Sequence, residues 1–176
     1  DPVMSWDFDK ITNRTTIESQ SGISDTIEGN FKSVKGVEGS GLKLDGFTAC
    51  LKHNNRNLEA PGDEITVEAW ASFGNYPWNW CPILTTETNE VKGYRLMIGP
   101  HGEVSFQTAI GEQWISCSTE RLTIPLRKWM HIVGVYRANK DLSVYVNGEL
   151  AAQMPIQGEM NYRGRSGALI GMVAAP

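Results

Sequence analysis

Asn75-Tyr76-Pro77-Trp78-Asn79-Trp80-Cys81 brings one tyrosine and two tryptophans into a short polar stretch. Flat indole rings stack on the apolar C–H faces of sugars, each aromatic contact adding about 0.5–1.5 kcal/mol beyond plain burial. Amides and carboxylates alongside would take the hydroxyls. Trp114 follows Gly111-Glu112-Gln113 and alternates with Ser116 and Ser118, which makes it a further candidate ring. The expected platform is therefore Tyr76, Trp78, Trp80 and Trp114, with Asn79, Glu87 and Gln113 as hydroxyl partners. The same rings have a competing use, capping the open end of a core or burying against a neighbouring domain.

Other chemistry finds little support. Paired carboxylates that cleave a glycosidic bond with retention stand about 5–5.5 Å apart. Glu64 and Glu68 lie four positions apart in an alternating run, roughly 13 Å on a strand. His53 and His101 read as loop residues and His131 as a core residue of its strand; no serine or cysteine sits in a nucleophile motif. The three cysteines, Cys50, Cys81 and Cys117, lack the close spacing of a zinc site. They are expected as small buried apolar residues, with one disulfide the alternative. Asn13-Arg14-Thr15 is a glycosylation sequon, too short a motif to carry weight.

The 16 basic residues are scattered and the net charge is −4, so the basic face of a nucleic-acid binder is missing. No apolar run approaches the ~18 residues of a membrane span. From its start at Asp1 the chain is expected to be a mature or trimmed segment.

Positioning these residues requires strands. Short alternating runs recur between Gly, Asn, Asp and Pro, with no helical period. They predict strands over 3–9, 41–44, 49–52, 64–73, 81–87, 94–99, 103–110, 113–118, 129–137, 142–146 and 168–172, with surface loops over 10–35 and 153–165. So many short strands in one chain need a two-layer sandwich or a barrel to bury their apolar faces. In the run 64–73, Ile65, Val67, Ala69, Ala71 and Phe73 point one way, and Thr66, Glu68, Trp70 and Ser72 the other.

The most distinctive stretch is Trp129-Met130-His131-Ile132-Val133-Gly134-Val135-Tyr136-Arg137, then Asn139-Lys140-Asp141, then Leu142-Ser143-Val144-Tyr145-Val146-Asn147-Gly148. This hairpin resembles the signature of laminin-G-like, concanavalin-A-like jelly-roll domains. Ser5-Trp6-Asp7-Phe8-Asp9, Gly39–Gly46, Ile65–Trp70, Pro82-Ile83-Leu84 and Gly93–Leu96 are similar to further family segments in the same order. The likeness covers most of the chain.

The resemblance implies an all-β fold, an antiparallel two-sheet β-sandwich of the concanavalin A-like jelly-roll type, with residues 1–176 as one domain. It also implies a noncatalytic carbohydrate-binding role, in or beside a secreted, periplasmic or cell-surface enzyme that degrades polysaccharides. The partners would be a poly- or oligosaccharide and an adjacent catalytic domain or companion chain. The alternative is a sandwich that only buttresses a glycoside hydrolase domain. Glucanases of this fold carry a Glu-x-Asp-x-Glu or Glu-x-Asp-x-x-Glu strand, and neither pattern occurs here. Trp6, Trp70 and Trp129 occupy family strand positions; Trp6 and Trp129 are expected as core residues and Trp70 as structural. No cofactor is implied beyond a structural Ca²⁺, for which Asp7, Asp9 and Asp45 are the oxygen donors to test. Family members usually finish with one more strand beside the first; here 168–172 is followed only by Val173–Pro176. The chain is accordingly expected to be a fragment of a larger protein with an exposed sheet edge.

Overall fold

The computed structural model describes residues 1–54, 61–86, 90–162 and 167–171. These hold fourteen strands and no helix: β1 (Thr15–Ile17), β2 (Ser24–Glu28), β3 (Phe31–Lys35), β4 (Ser40–Leu44), β5 (Cys50–His53), β6 (Glu64–Ala71), β7 (Cys81–Thr85), β8 (Tyr94–Ile98), β9 (Val104–Ile110), β10 (Gln113–Ser118), β11 (Met130–Arg137), β12 (Asp141–Val146), β13 (Glu149–Pro155) and β14 (Ala168–Gly171). With no helix, none can be long and apolar enough to cross a membrane among the described residues.

One sheet has eight strands in the order β1-β2-β5-β14-β7-β8-β9-β10, and a second has four in the order β13-β12-β11-β6. Strands β3 and β4 form a separate hairpin. Pairing between strands is antiparallel throughout. The arrangement is the all-β sandwich expected from alternation.

The period-2 pattern decides the faces. Ile65 and Val67 of β6, Ile132 and Tyr136 of β11, and Leu142 and Val144 of β12 face inward, against Leu96 of β8 and Phe106 of β9. Layer spacing explains Gly134 in the middle of β11. A Cβ there would lie 2.3 Å from the Phe106 ring, so only glycine lets the layers meet. The Asn147-Gly148 connection between β12 and β13 takes φ values of 51° and 83°, the left-handed pair that closes a two-residue hairpin.

Three regions depart from expectation. Residues 3–9 form no strand. Instead the segment is fastened from outside: the Ser5 N–H donates to Glu18 at 2.7 Å and the Trp6 indole N–H to Asp25 at 2.7 Å. Residues 10–35, expected as a loop, contain β1, β2 and β3. In β2 the inward positions are Asp25 and Ile27, so a buried carboxylate stands where the pattern search requires an apolar residue. Strand β13 extends to Pro155, into the second expected loop.

All three cysteines are free, which removes the disulfide alternative. Burial pushes each thiol above its usual range, leaving it a poor nucleophile.

Candidate functional site

The connection from β6 to β7 carries the aromatic loop. Backbone and side chain pin it on one flank: the Tyr76 hydroxyl donates to the Ile124 carbonyl at 2.7 Å, and the Arg127 N–H donates to the Phe73 carbonyl at 2.8 Å. Gly102, at φ 79°, leaves the room Tyr76 needs, since a Cβ there would lie 2.7 Å from the phenol ring. Tyr76 is thus an anchor of the loop, with its hydroxyl already engaged. The Asn79 side-chain oxygen accepts from the Trp80 N–H at 2.8 Å and shapes the turn into β7. Trp80 is half-buried. Trp78 is 87 % exposed, a large indole offered to solvent on an anchored loop.

Trp114 stands elsewhere. It faces outward from β10, the edge of the large sheet, three strands away from β7. Through β9 and β8 its register runs Trp114 to Ala109, Thr108 to Tyr94, and Arg95 to Thr85, which puts it level with the far end of β7 from the loop. The separation is roughly 14 Å across and 13 Å along the strands. Its ring carries the Arg95 guanidinium at 3.5 Å. Gln113 is exposed beside it. The structure therefore gathers Tyr76, Trp78, Asn79 and Trp80 but separates them from Gln113 and Trp114. Glu87 lies outside the described residues.

The loop forms one lip of a cleft of about 3050 Å³ between β6 and the β4 arm. Its floor includes Val67, Tyr94, Ile98 and Ile83, and Leu42 and Leu44 line the opposite wall. Strand β6 is hydrogen-bonded only to β11, and β4 only to β3, among the described residues.

Four residues, Glu68, Trp70 and His131 on the outward face of β6 and β11 and Trp129 just before β11, were not among the candidates for the sugar site. Trp70 is 53 % exposed and stacks on His131, ring centroids 5.1 Å apart at 28°. His131 Nε2 lies 3.1 Å from Glu68 Oε2. Trp129 is 37 % exposed. Trp129 is therefore exposed and His131 half-buried, contrary to the core placement expected of both. Alternation already set Glu68 and Trp70 outward; only the pairing of Trp70 with His131 across β6 and β11 reveals the cluster.

Each of the three aspartates already accepts hydrogen bonds from nearby donors. Asp45 accepts from the N–H groups of Phe47, Thr48 and Ala49 and from the Thr48 hydroxyl. That hydroxyl, followed by the N–H donors, holds its carboxyl well below the usual range. Asp9 accepts from Ser40 at 2.7 Å, and Asp7 from the Asp9 N–H at 3.0 Å. Among the described residues, no group of three His, Cys, Asp or Glu gathers as metal ligands.

Comparison with solved structures gives the fold independently. The binding domain of botulinum neurotoxin serotype C1 superposes with a TM-score of 0.70 at 14 % identity, covering 94 % of this chain and 42 % of that one. Botulinum neurotoxin type C, solved in work on its dependence on two ganglioside molecules, gives 0.66 at 13 % identity over 94 % of this chain and 42 % of that one. Domain 4 of AbnA, an extracellular GH43 arabinanase from Geobacillus stearothermophilus in complex with arabinotriose, gives 0.66 at 14 % identity, covering 88 % and 77 %. The chain spans about two fifths of the toxin chains it matches. No curated protein matches it. The family model of the laminin G type matches residues 45–172, most of the chain, and the chain belongs to the concanavalin A-like lectin/glucanases superfamily.

Proposed function

We propose that this domain is a noncatalytic carbohydrate-binding module of, or beside, a secreted polysaccharide-degrading enzyme. The observation that carries the reading is Trp78, an indole 87 % exposed on a loop anchored by Tyr76 and lining an open cleft. Such a ring gains little for the isolated fold, whereas a sugar ring supplies the apolar face it lacks. Trp78 and Trp80 stack and Asn79 takes hydroxyls. The fold likeness to an arabinanase domain in complex with arabinotriose and to a ganglioside-dependent toxin supports a glycan as the partner.

A glycan array tests this directly. Reproducible binding by the wild type, lost in Trp78→Ala, is expected. The same variant should change folding stability by less than about 0.5 kcal/mol, since it removes an exposed side chain. A blank array from well-folded protein overturns the reading.

A second reading rests on the cleft floor, where core residues Val67, Tyr94 and Ile98 line an open space beside the single-sided strand β6. Here the sandwich buttresses an adjacent catalytic domain or companion chain, whose extended segment would bond β6 and β4 together and cover the floor. Hydrogen exchange separates the two. Slow exchange of the β6 amides that do not bond to β11 appears only with the partner present under the second reading, and glycan leaves those amides fast under the first.

A further inference from the structure

We propose that Trp70 and Glu68, on the outward face of β6, form a second sugar subsite. With it, the site takes the interior of a linear glycan chain and not a single sugar. The proposal rests on the carbohydrate reading above and extends it to a class of ligand.

The geometry is that of a prepared ring beside a carboxylate. Trp70 keeps 53 % of its surface exposed, yet stacking on His131 fixes the plane of its indole. His131 is itself held: its N–H donates to the Asn147 side-chain oxygen at 2.9 Å, and its carbonyl accepts from the Asn147 N–H at 2.8 Å. Glu68 meets His131 Nε2 at 3.1 Å while keeping 65 % of its side chain exposed. Two positions along one strand face separate indole from carboxylate by roughly 7 Å, about the span of one pyranose ring with its hydroxyls. An indole beneath a sugar ring with an acceptor at its rim matches the apolar face and the hydroxyls of a sugar.

The site also continues. Trp129 follows on the same outward face, diagonal to Trp70 across the strand pair. Its indole edge lies against Gly41 of β4, 3.4 Å from where a Cβ would sit. Trp70, Trp129, Glu68 and His131 line the same cleft as Trp78. A cleft of about 3050 Å³ exceeds the ~300–1,000 Å³ of a pocket for one small molecule. On this proposal, the ligand that engages Trp78 together with Trp70 and Trp129 is a chain of several sugars.

The test uses the full chain in native gels containing debranched arabinan, xylan, β-glucan or hyaluronan, then calorimetry with two-, four- and six-sugar fragments of whichever polymer retards it. Wild-type affinity should rise at least tenfold from the two- to the six-sugar fragment. Trp70→Ala should remove that rise, with about a tenfold loss on the six-sugar fragment and little change on the shortest. Glu68→Gln, which keeps the strand's shape, should lose about threefold. Trp78→Ala should weaken all lengths. If Trp70→Ala and Glu68→Gln both bind the six-sugar fragment as the wild type does, the second subsite is wrong and the loop site stands. If no polymer retards the wild type, the carbohydrate reading and the subsite fall together.

Discussion

Two clusters in this sandwich are each built from an indole, an imidazole and a carboxylate and differ in what surrounds them. Trp6, His53 and Asp25 meet inside: the indole N–H donates to Asp25 at 2.7 Å, His53 Nδ1 lies 2.9 Å from both carboxylate oxygens, and the rings cross edge-on at 81°. Trp70, His131 and Glu68 meet outside, with the rings stacked at 28° and a single contact of 3.1 Å between imidazole and carboxylate. In the first, the His53 and Asp25 side chains are 0 % and 1 % exposed; in the second, His131 and Glu68 are 28 % and 65 % exposed. Buried, the carboxylate has to satisfy its neighbours' donors because water cannot, and the trio fastens the N-terminal segment to the sheet. Exposed, the corresponding trio with Glu68 as its carboxylate leaves polar and aromatic surface for a ligand. Composition does not assign the roles; burial does.

The largest expected effect breaks the inner cluster. Asp25→Ala leaves the buried His53 Nδ1 and the half-buried Trp6 indole N–H without their acceptor, each loss costing about 1–3 kcal/mol. His53 Nε2 already has no hydrogen-bond partner among the described residues, so the site has little with which to compensate. Chemical denaturation should show a loss of about 3 kcal/mol or more, with the N-terminal segment becoming protease-sensitive first. A loss below about 1 kcal/mol would mean that the cluster is not what fastens the segment.

Glu18 sits next to that cluster in size of effect. Its carboxylate accepts from the N–H groups of Ser5, Gln20 and Ser21 and from the Ser21 hydroxyl. Burial pushes its pKa up, but the Ser21 hydroxyl and the backbone donors outweigh that and hold it below its ordinary 4.5. A depressed carboxylate stabilises the fold fully above its unfolded value, and that stability is lost as pH falls through the folded value. Glu18→Gln should cost about 2 kcal/mol at neutral pH. Below about pH 4.5 the gap from wild type should shrink as the native carboxylate takes up its proton. A gap that stays constant into acid would show that charge contributes nothing at this position.

The difference between the clusters also explains what could be read in the sequence. The hairpin from Trp129 to Gly148 was legible because its inward positions, Ile132, Gly134, Tyr136, Leu142 and Val144, are apolar or small, so alternation and turn chemistry agree. Strands β1 and β2 were hidden because Glu18 and Asp25 are buried carboxylates, and a pattern search takes carboxylates as solvent-facing. Residues 3–9 were misread for a related reason: side chains from other elements, not a strand partner, hold that stretch. Of the candidate site, the 75–80 loop was visible as aromatic density in a turn. Grouping Trp114 with it required a distance, and distance comes from register across β7, β8, β9 and β10. Trp70 lay in plain view on the outward face, but His131 opposite it belongs to a strand more than fifty residues later.

The smallest expected effect on stability sharpens the contrast from the other side. Glu68→Ala removes one contact from a carboxylate that is 65 % exposed, opposite an imidazole that water already reaches. Pairs of that kind contribute about 0.2–1 kcal/mol, and salt weakens them further. Denaturation at low and at high ionic strength should therefore place this variant within about 0.5 kcal/mol of wild type, with any difference gone at high salt. Set against about 3 kcal/mol for Asp25→Ala, that outcome assigns the inner trio to holding the fold and frees the outer one for binding. A cost for Glu68→Ala approaching that of Asp25→Ala, and unchanged by salt, would instead make His131 and Trp70 dependent on the carboxylate for their positions. The outward face of β6 would then be part of the scaffold.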